Sequence, residues 1–238
     1  MKNLMYSDIQ YGAALVKSQL VAMCRSFPGG LAPTGGGGTI PVGDSCNVLA
    51  AWNGRENPAS RGAVLFTAFW GRALNSPTGP WSHPYQVTDP LHTPYGLDTA
   101  SPAVRQAFGM ALEQMRASHQ PYDIALGQVQ YVLLDGRRFP MPGGTADPNG
   151  EFNAMSINSP GAIPGTSSTY VQAVTWASGN PCPEAATVVA YSESDNPASA
   201  HYDDQAGLFS RRQWATAYFC PARVAAHAVS VTVVSGGR

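Results

Sequence analysis

The chain has 238 residues, a formal net charge of -1, and 12% charged against 44% hydrophobic side chains. That length buries a sizeable core as one domain or forms a piece of something larger, and its Lys and Arg are scattered apart from the pairs Arg137-Arg138 and Arg211-Arg212, so the electrostatic footprint of nucleic-acid binding is missing. No run of about twenty apolar residues is available to span a membrane, and Asp8, Gln10 and Lys17 break the opening segment where a signal peptide would be apolar.

The 25 glycines and 20 prolines predict many loops, and a charged share about half the usual ~25% suits either a surface covered by a partner polypeptide or a monomer with many ordered loops. The first helix is predicted over 8–25, with Ser7-Asp8-Ile9-Gln10 as its capping box and Ile9, Ala13, Val16, Leu20 and Met23 on its buried face. Gly35-Gly36-Gly37-Gly38 between Pro33 and Pro41 reads as a flexible connector; no Gly-Lys-Ser/Thr follows, so it is no phosphate loop. A short helix is expected from Asp44 to Asn53, ended by Gly54, and a third from a Ser60 cap to Leu74. In that third helix Val64, Leu65, Phe66, Ala68, Phe69 and Trp70 face most directions, which predicts burial on several sides. Residues 75–99, with five prolines, His83 and His92, read as an ordered loop over the surface. Ser101 caps and Pro102 opens a fourth helix whose Val104, Phe108, Ala111, Leu112 and Met115 share one face. Asp135-Gly136 between Gln128–Leu134 and Arg138-Phe139 is a hairpin signal. Strands are expected at Thr169–Trp176, Ala186–Tyr191 and Val229–Val234.

Helices in the first half and strands in the second predict an α+β fold, with helices packed on a largely antiparallel sheet. The helical part covers about 1–125 and the sheet part about 126–238. Cys24, Cys46, Cys182 and Cys220 have no Cys-x-x-Cys spacing, which argues against a zinc ribbon or a thioredoxin-like centre. Two disulfides or four buried free thiols are the readings. A bridge from Cys24 to Cys46 would close a loop of about twenty residues and stabilise by roughly 3 kcal/mol; Cys182 and Cys220 likewise bracket the segment 191–205.

Catalysis by this chain's own residues finds little support. There is no Gly-x-Ser-x-Gly nucleophile turn. His201 beside Asp203 and Asp204 invites a triad or metal reading, but consecutive carboxylates point in different directions and cannot both orient one imidazole; a His satisfying local backbone groups is the plainer account. His83 and His92 lack nominated partners for a metal. Glu193 and Asp195 lie two apart on one segment, whereas glycosidase carboxylates flank a bond from opposite sides.

The segment Tyr191-Ser192-Glu193-Ser194-Asp195-Asn196-Pro197, then Ser199-Ala200-His201-Tyr202-Asp203-Asp204-Gln205, resembles a signature near the C-terminus of the penicillin acylase family. Leu15–Arg25, Cys46–Gly54 and Ser60-Arg61-Gly62-Ala63-Val64-Leu65-Phe66 to Trp70 are similar to that family's helical blocks. Leu126-Gly127-Gln128-Val129-Gln130, Arg138-Phe139-Pro140-Met141-Pro142-Gly143-Gly144, Gly150-Glu151-Phe152-Asn153 and Ser168-Thr169-Tyr170-Val171-Gln172 resemble its later blocks in the same order. The likeness is nearest the acyl-homoserine-lactone and aculeacin-type acylases. It departs at Glu193, Ala200, Pro142 and the glycines 35–38.

The resemblance implies an αββα N-terminal-nucleophile hydrolase sandwich, of which residues 1–238 would form the C-terminal portion of the large subunit. It also implies a precursor exported to the periplasm or secreted, cleavage into two subunits, and hydrolysis of an acyl amide by a serine with a free α-amine. The partners so implied are the small subunit and the N-terminal part of the large one, with no nucleic acid. No position here matches the nucleophile or the oxyanion Asn, so no catalytic, cofactor-binding or metal residue is assigned. The alternative is a truncated, inactive remnant acting as a folded binding or assembly module.

Overall fold

The computed structural model describes residues 2–145, 150–156, 160–162 and 166–234. After a single turn, α1 (Lys2–Met5), the helices are α2 (Tyr11–Arg25), α3 (Ser45–Ala51), α4 (Ala63–Leu74), α5 (Pro102–Ala117), α6 (Asp204–Ser210) and α7 (Pro221–His227). The strands are β1 (Leu31–Pro33), β2 (Thr39–Pro41), β3 (Trp81–His83), β4 (Tyr95–Leu97), β5 (Tyr131–Leu134), β6 (Arg137–Pro140), β7 (Met155–Ser156), β8 (Thr166–Ser167), β9 (Tyr170–Thr175), β10 (Glu184–Val189) and β11 (Ala215–Ala217). The class is α+β. The chain divides into two compact units, Asn3–Ser167 and Ser168–Arg238 with Met1–Lys2.

In the first unit the core is helical. The α2 stripe Ala13, Val16, Leu20 and Met23 is buried as its spacing predicts, and α4 and α5 pack on each other through Phe66, Phe69, Trp70 and Phe108. Phe69 meets Phe108 edge-on with centroids 6.0 Å apart, and Phe27 stacks on Phe108 at 5.9 Å, the offset and T-shaped geometries that ring quadrupoles favour. The aromatic stripe is core. Ser101 caps α5 through its hydroxyl, which accepts from the Val104 amide, with Pro102 in the first turn.

Two helix starts differ from their sequence signals. Residues 8–10 are held extended by pairing with 54–56: Gln10 N donates to Gly54 O, Glu56 N to Asp8 O, and Ile9 bridges Arg55. Helix α2 therefore begins at Tyr11, and Gln10 replaces Ser7 as the cap by accepting from the Ala13 amide at 2.7 Å. Ser60 accepts instead from the Asn57 amide in a local turn, and α4 starts after Gly62, whose φ of 105° and close approach to Trp52 exclude a side chain. A Cβ there would lie 2.7 Å from Trp52 Cβ.

The glycine-rich connector is a hairpin tip. β1 and β2 pair antiparallel, with Ala32 opposite Ile40 and both buried, because the hairpin has α5 to pack on. Residues 75–99 likewise contain a pairing, β3 with β4, in register Trp81 to Leu97. The β5–β6 hairpin turns at Asp135 and Gly136, both at positive φ as expected of Asp-Gly. Cys24 and Cys46, which flank the β1–β2 hairpin in sequence, are bridged.

The second unit holds an antiparallel sheet of order β11-β10-β9, with α6 on β10 burying Ala206 and Phe209. Cys182 and Cys220 are joined, tying the approach to β10 to the start of α7. The expected second-half sheet is thus small: among the described residues the sheets are separate antiparallel groups of two or three strands, with two helices among them. The predicted strand at Val229–Val234 does not form. Val229, Val231, Val233 and Val234 are exposed. β-branched residues favour a strand only where a ladder and a buried face exist, and none is provided for them among the described residues.

Candidate functional site

The segment that carries the sequence signature clasps a strand to a helix. At Ser192 the chain turns with φ 67°, and its hydroxyl accepts from the Gln205 and Ala206 amides in the first turn of α6 at 3.1 and 2.9 Å. Gln205 then accepts from Val189 N at 2.8 Å and donates to Glu193 Oε1 at 2.6 Å. The carbonyl of His201 takes the Glu193 and Ser194 amides, and Ser199 Oγ accepts from His201 N. Ser192 and Gln205 thus satisfy backbone amides that neither β10 nor α6 pairs, while Glu193 and the His201 ring bond the Gln205 and Asp204 side chains.

The His201 imidazole stands outside, bonded through Nδ1 to Asp204 Oδ2 at 2.9 Å. That hydrogen bond, and then the Asp204 and Glu193 charges, raise its pKa above the ordinary imidazole value. Only one carboxylate orients the ring, as consecutive Asp203 and Asp204 dictate. Among the described residues no hydroxyl or thiol meets the other ring nitrogen, so a nucleophile-base pair is not assembled. His83 stacks on Tyr95 at 4.0 Å and touches its neighbour Ser82 through Nδ1, while His92 bonds Asp89. Among the described residues no group of three His, Cys, Asp or Glu is placed to hold a metal. Glu193 is occupied by Gln205, and Asp195 is exposed.

A different constellation lies in the first unit, at a cleft of about 680 Å³ between α4, α5 and the segments around 126–130 and 144–156. Its polar lining includes Thr67, Arg72, Gln114 and Gln130. At the cleft wall sits Glu56, and Glu151 lies with it against Gly144, each almost fully buried. Glu56 is fixed by its backbone, which donates to Asp8 O at 2.7 Å and accepts from Gly143 N at 2.8 Å. Thr67 Oγ1 donates to its Oε1 at 2.7 Å. Burial is the main cause that raises the Glu56 pKa; the Asp8 charge adds to it, against the Glu151 and Thr67 hydrogen bonds. Asp8 itself is buried and paired with Arg55 Nη1 at 2.9 Å.

The Pro-x-x-Gly-Gly and Gly-Glu-Phe-Asn blocks meet here. A Cβ on Gly144 would fall 1.5 Å from Glu56 Oε2 and 2.2 Å from Glu151 Oε2, and one on Gly143, at φ 105°, would fall 2.3 Å from Asn153 O. Both glycines are required by what passes over them. Asn153 ties three segments: its N donates to Ser7 O, its O accepts from Gly144 N, and its Nδ2 donates to Pro142 O. Gln130 closes the ring by donating to Met141 O and Gly143 O. Sequence reasoning passed over Glu56 and Glu151 as site residues, and no spacing could have found them, since they meet only through the fold. The visible signal was limited to the adjacent glycines Gly143 and Gly144 and the acid Glu151 in the block that follows.

The arrangement supplies a buried carboxyl with a raised pKa, hydroxyls and amides that anchor loops, and no activated nucleophile among the described residues. The profile of the penicillin amidase family matches residues 1–226. Aculeacin-A acylase of Actinoplanes utahensis is 32% identical over 230 residues, covering 94% of this chain and 28% of that protein. The acyl-homoserine lactone acylase PvdQ of Pseudomonas syringae pv. syringae is 29% identical over 235 residues, 94% of this chain and 29% of its own length. PvdQ of Pseudomonas fluorescens is 31% identical over 240 residues, with shares of 95% and 29%. The chain thus spans less than a third of the relatives it matches along almost its whole extent, and it belongs to the penicillin amidase family.

Proposed function

We propose that this chain is the C-terminal portion of the large subunit of a penicillin-amidase-type acylase, and that it acts as scaffold for a nucleophile carried by preceding polypeptide. The assembled enzyme hydrolyses the amide of an acylated amine, such as an acyl-homoserine lactone or an acylated peptide or β-lactam compound. Its serine hydroxyl attacks the carbonyl while the serine's own α-amine, with a reference pKa of about 7.7–8.0, takes the proton. Donors placed at the developing oxyanion lower the barrier. The partners are the small subunit and the first part of the large subunit, folded within one αββα sandwich, in an exported precursor.

The observation that carries this reading is the match over 94% of this chain to 28% of an acylase. The local chemistry supports it: the family's motif blocks here clasp strands, turns and helix starts, and among the described residues bring no base to a hydroxyl. The test mixes the chain with the complementary segment of such an enzyme and a chromogenic acyl amide. Turnover is expected from the mixture alone. Turnover by the isolated chain would refute the reading.

A further inference from the structure

We propose that residues 221–234 are a docking arm, whose stretch Val229–Val234 adds as a strand to a sheet edge of the preceding polypeptide of the assembled acylase. The proposal rests on the acylase reading and names the place where that polypeptide engages this chain.

Both halves of the arm lack the partner that their residues call for. Pro221 opens α7, yet the helix has seven residues and buries none of them, and isolated helices shorter than about 12–15 residues are marginal in water. Its contacts among the described residues run to its own root. The His227 ring stacks on Tyr218 at 3.9 Å, Val224 N donates to Cys220 O, and the bridge to Cys182 ties that root to the approach of β10. Beyond His227 the chain runs to Val234 without helix or ladder. Val229 is fully exposed, and Val231, Val233 and Val234 are 82–88% exposed. Val229, Val231 and Val233 alternate with Ser230 and Thr232 and no charge interrupts them, which is the period-two pattern of a strand with one apolar and one hydroxyl-bearing face.

The family match points to the partner. It runs to residue 226 and takes in α7 up to Ala226, so a helix shared with the family has no buried side here. More than two thirds of aculeacin-A acylase lies outside the matched part, and polypeptide of that kind is where a shared but bare helix finds its seat. The strand-patterned stretch follows α7 after the single residue Ala228, so docking of the helix carries Val229–Val234 to the same body. There edge addition suits it: main-chain hydrogen bonds complete the ladder, and the valine row faces a core. Pairing of two arms from two copies of this chain would by itself give 229–234 a ladder but leave α7 without a partner.

Hydrogen exchange is followed on the full chain, alone and mixed with the complementary segment of a penicillin-amidase-type acylase. The Val229–Val234 amides should exchange at unprotected rates in the chain alone and slow by about a hundredfold or more in the complex. Ending the chain after Ala228, or Val231→Asp, should weaken assembly by about tenfold or more in a titration, whereas Val231→Ile keeps the apolar row and should assemble. Melts of the altered chains alone should match the wild type, because the arm buries nothing in the free chain. A wild-type complex whose Val229–Val234 amides stay unprotected, or a truncated chain that assembles as tightly, overturns the inference and leaves the acylase reading standing. Concentration-dependent protection of those amides in the chain alone would assign the arm to a second copy and overturn it too. Failure of the wild-type chain to assemble at all would sink the acylase reading and this inference together.

Discussion

Two glycines on neighbouring helices should respond to alanine in opposite directions. Gly71 of α4 and Gly109 of α5 are both interior helix positions, where alanine is favoured over glycine by about 1 kcal/mol. Around Gly71 a Cβ would meet nothing within 4 Å, so Gly71→Ala should gain most of that amount. At Gly109 it would fall 1.9 Å from the carbonyl oxygen of Pro33 and 2.7 Å from its carbon. Carbon and carbonyl oxygen approach comfortably at about 3.3–3.6 Å, so α5 and β1 must separate by roughly 1.5 Å. Neither can yield cheaply. Pro33 is backbone in a paired hairpin flanked in sequence by the bridged Cys24 and Cys46, and α5 is buried along its whole inner face.

Overpacking of this kind costs typically 1–3 kcal/mol, and a backbone-to-backbone overlap belongs at the upper end. Subtracting the propensity gain leaves a net loss of about 2 kcal/mol for Gly109→Ala. At about 2–4 °C per kcal/mol for a unit of this size, its Tm should fall by about 4–8 °C and that of Gly71→Ala should rise by about 2–4 °C. Thermal and urea melts followed by far-UV circular dichroism measure both, with the urea slope unchanged if only stability has moved. A Gly109→Ala protein as stable as the wild type or more so would refute the close approach of α5 to β1.

Phe108→Ala removes a ring that is buried against Phe27 and Phe69, and should cost about 3–5 kcal/mol in urea titrations. Replacing Cys24 and Cys46 together by alanine opens a loop with a sequence separation of 22 and should cost about 3 kcal/mol in the same assay. The His201 ring, followed by NMR, should titrate above the ordinary value near ~6.5 and return toward it in Asp204→Asn. Because its folded pKa is raised, its contribution to the clasp is complete at lower pH and disappears as pH rises through that raised value. An unshifted His201, or one indifferent to Asp204→Asn, would contradict the bond.

Much of the first unit could be read in advance where one turn of chain contains both partners. Ser101 and Pro102 start a helix whoever its neighbours are, and the apolar steps of α2 and α5 name the faces that are buried. Asp135-Gly136 makes its turn from its own backbone preferences. Ser7 and Ser60 carried equally good local signals and lost, because 8–10 gained more by pairing with 54–56 and because Gly62 could pass Trp52 where no other residue fits. The valines at 229–234 lost for the converse reason: propensity without a neighbouring strand makes no ladder.

The candidate site divides in the same way. The signature around His201 was legible as a family mark, but its ring bonds the Asp204 carboxylate and not the local backbone, the bonds to Ser199 and to the 193 and 194 amides being made by its main chain. The Glu56–Glu151 pair was not legible. By itself the amino-acid sequence determined the class of fold, the helix faces and the family, which depend on residues within a few positions of one another or on blocks kept in order. Only the tertiary structure decided that two distant acids, Glu56 and Glu151, lie buried together against Gly144, because desolvation and close packing arise from what the folded chain brings together, and neither leaves a mark on local composition.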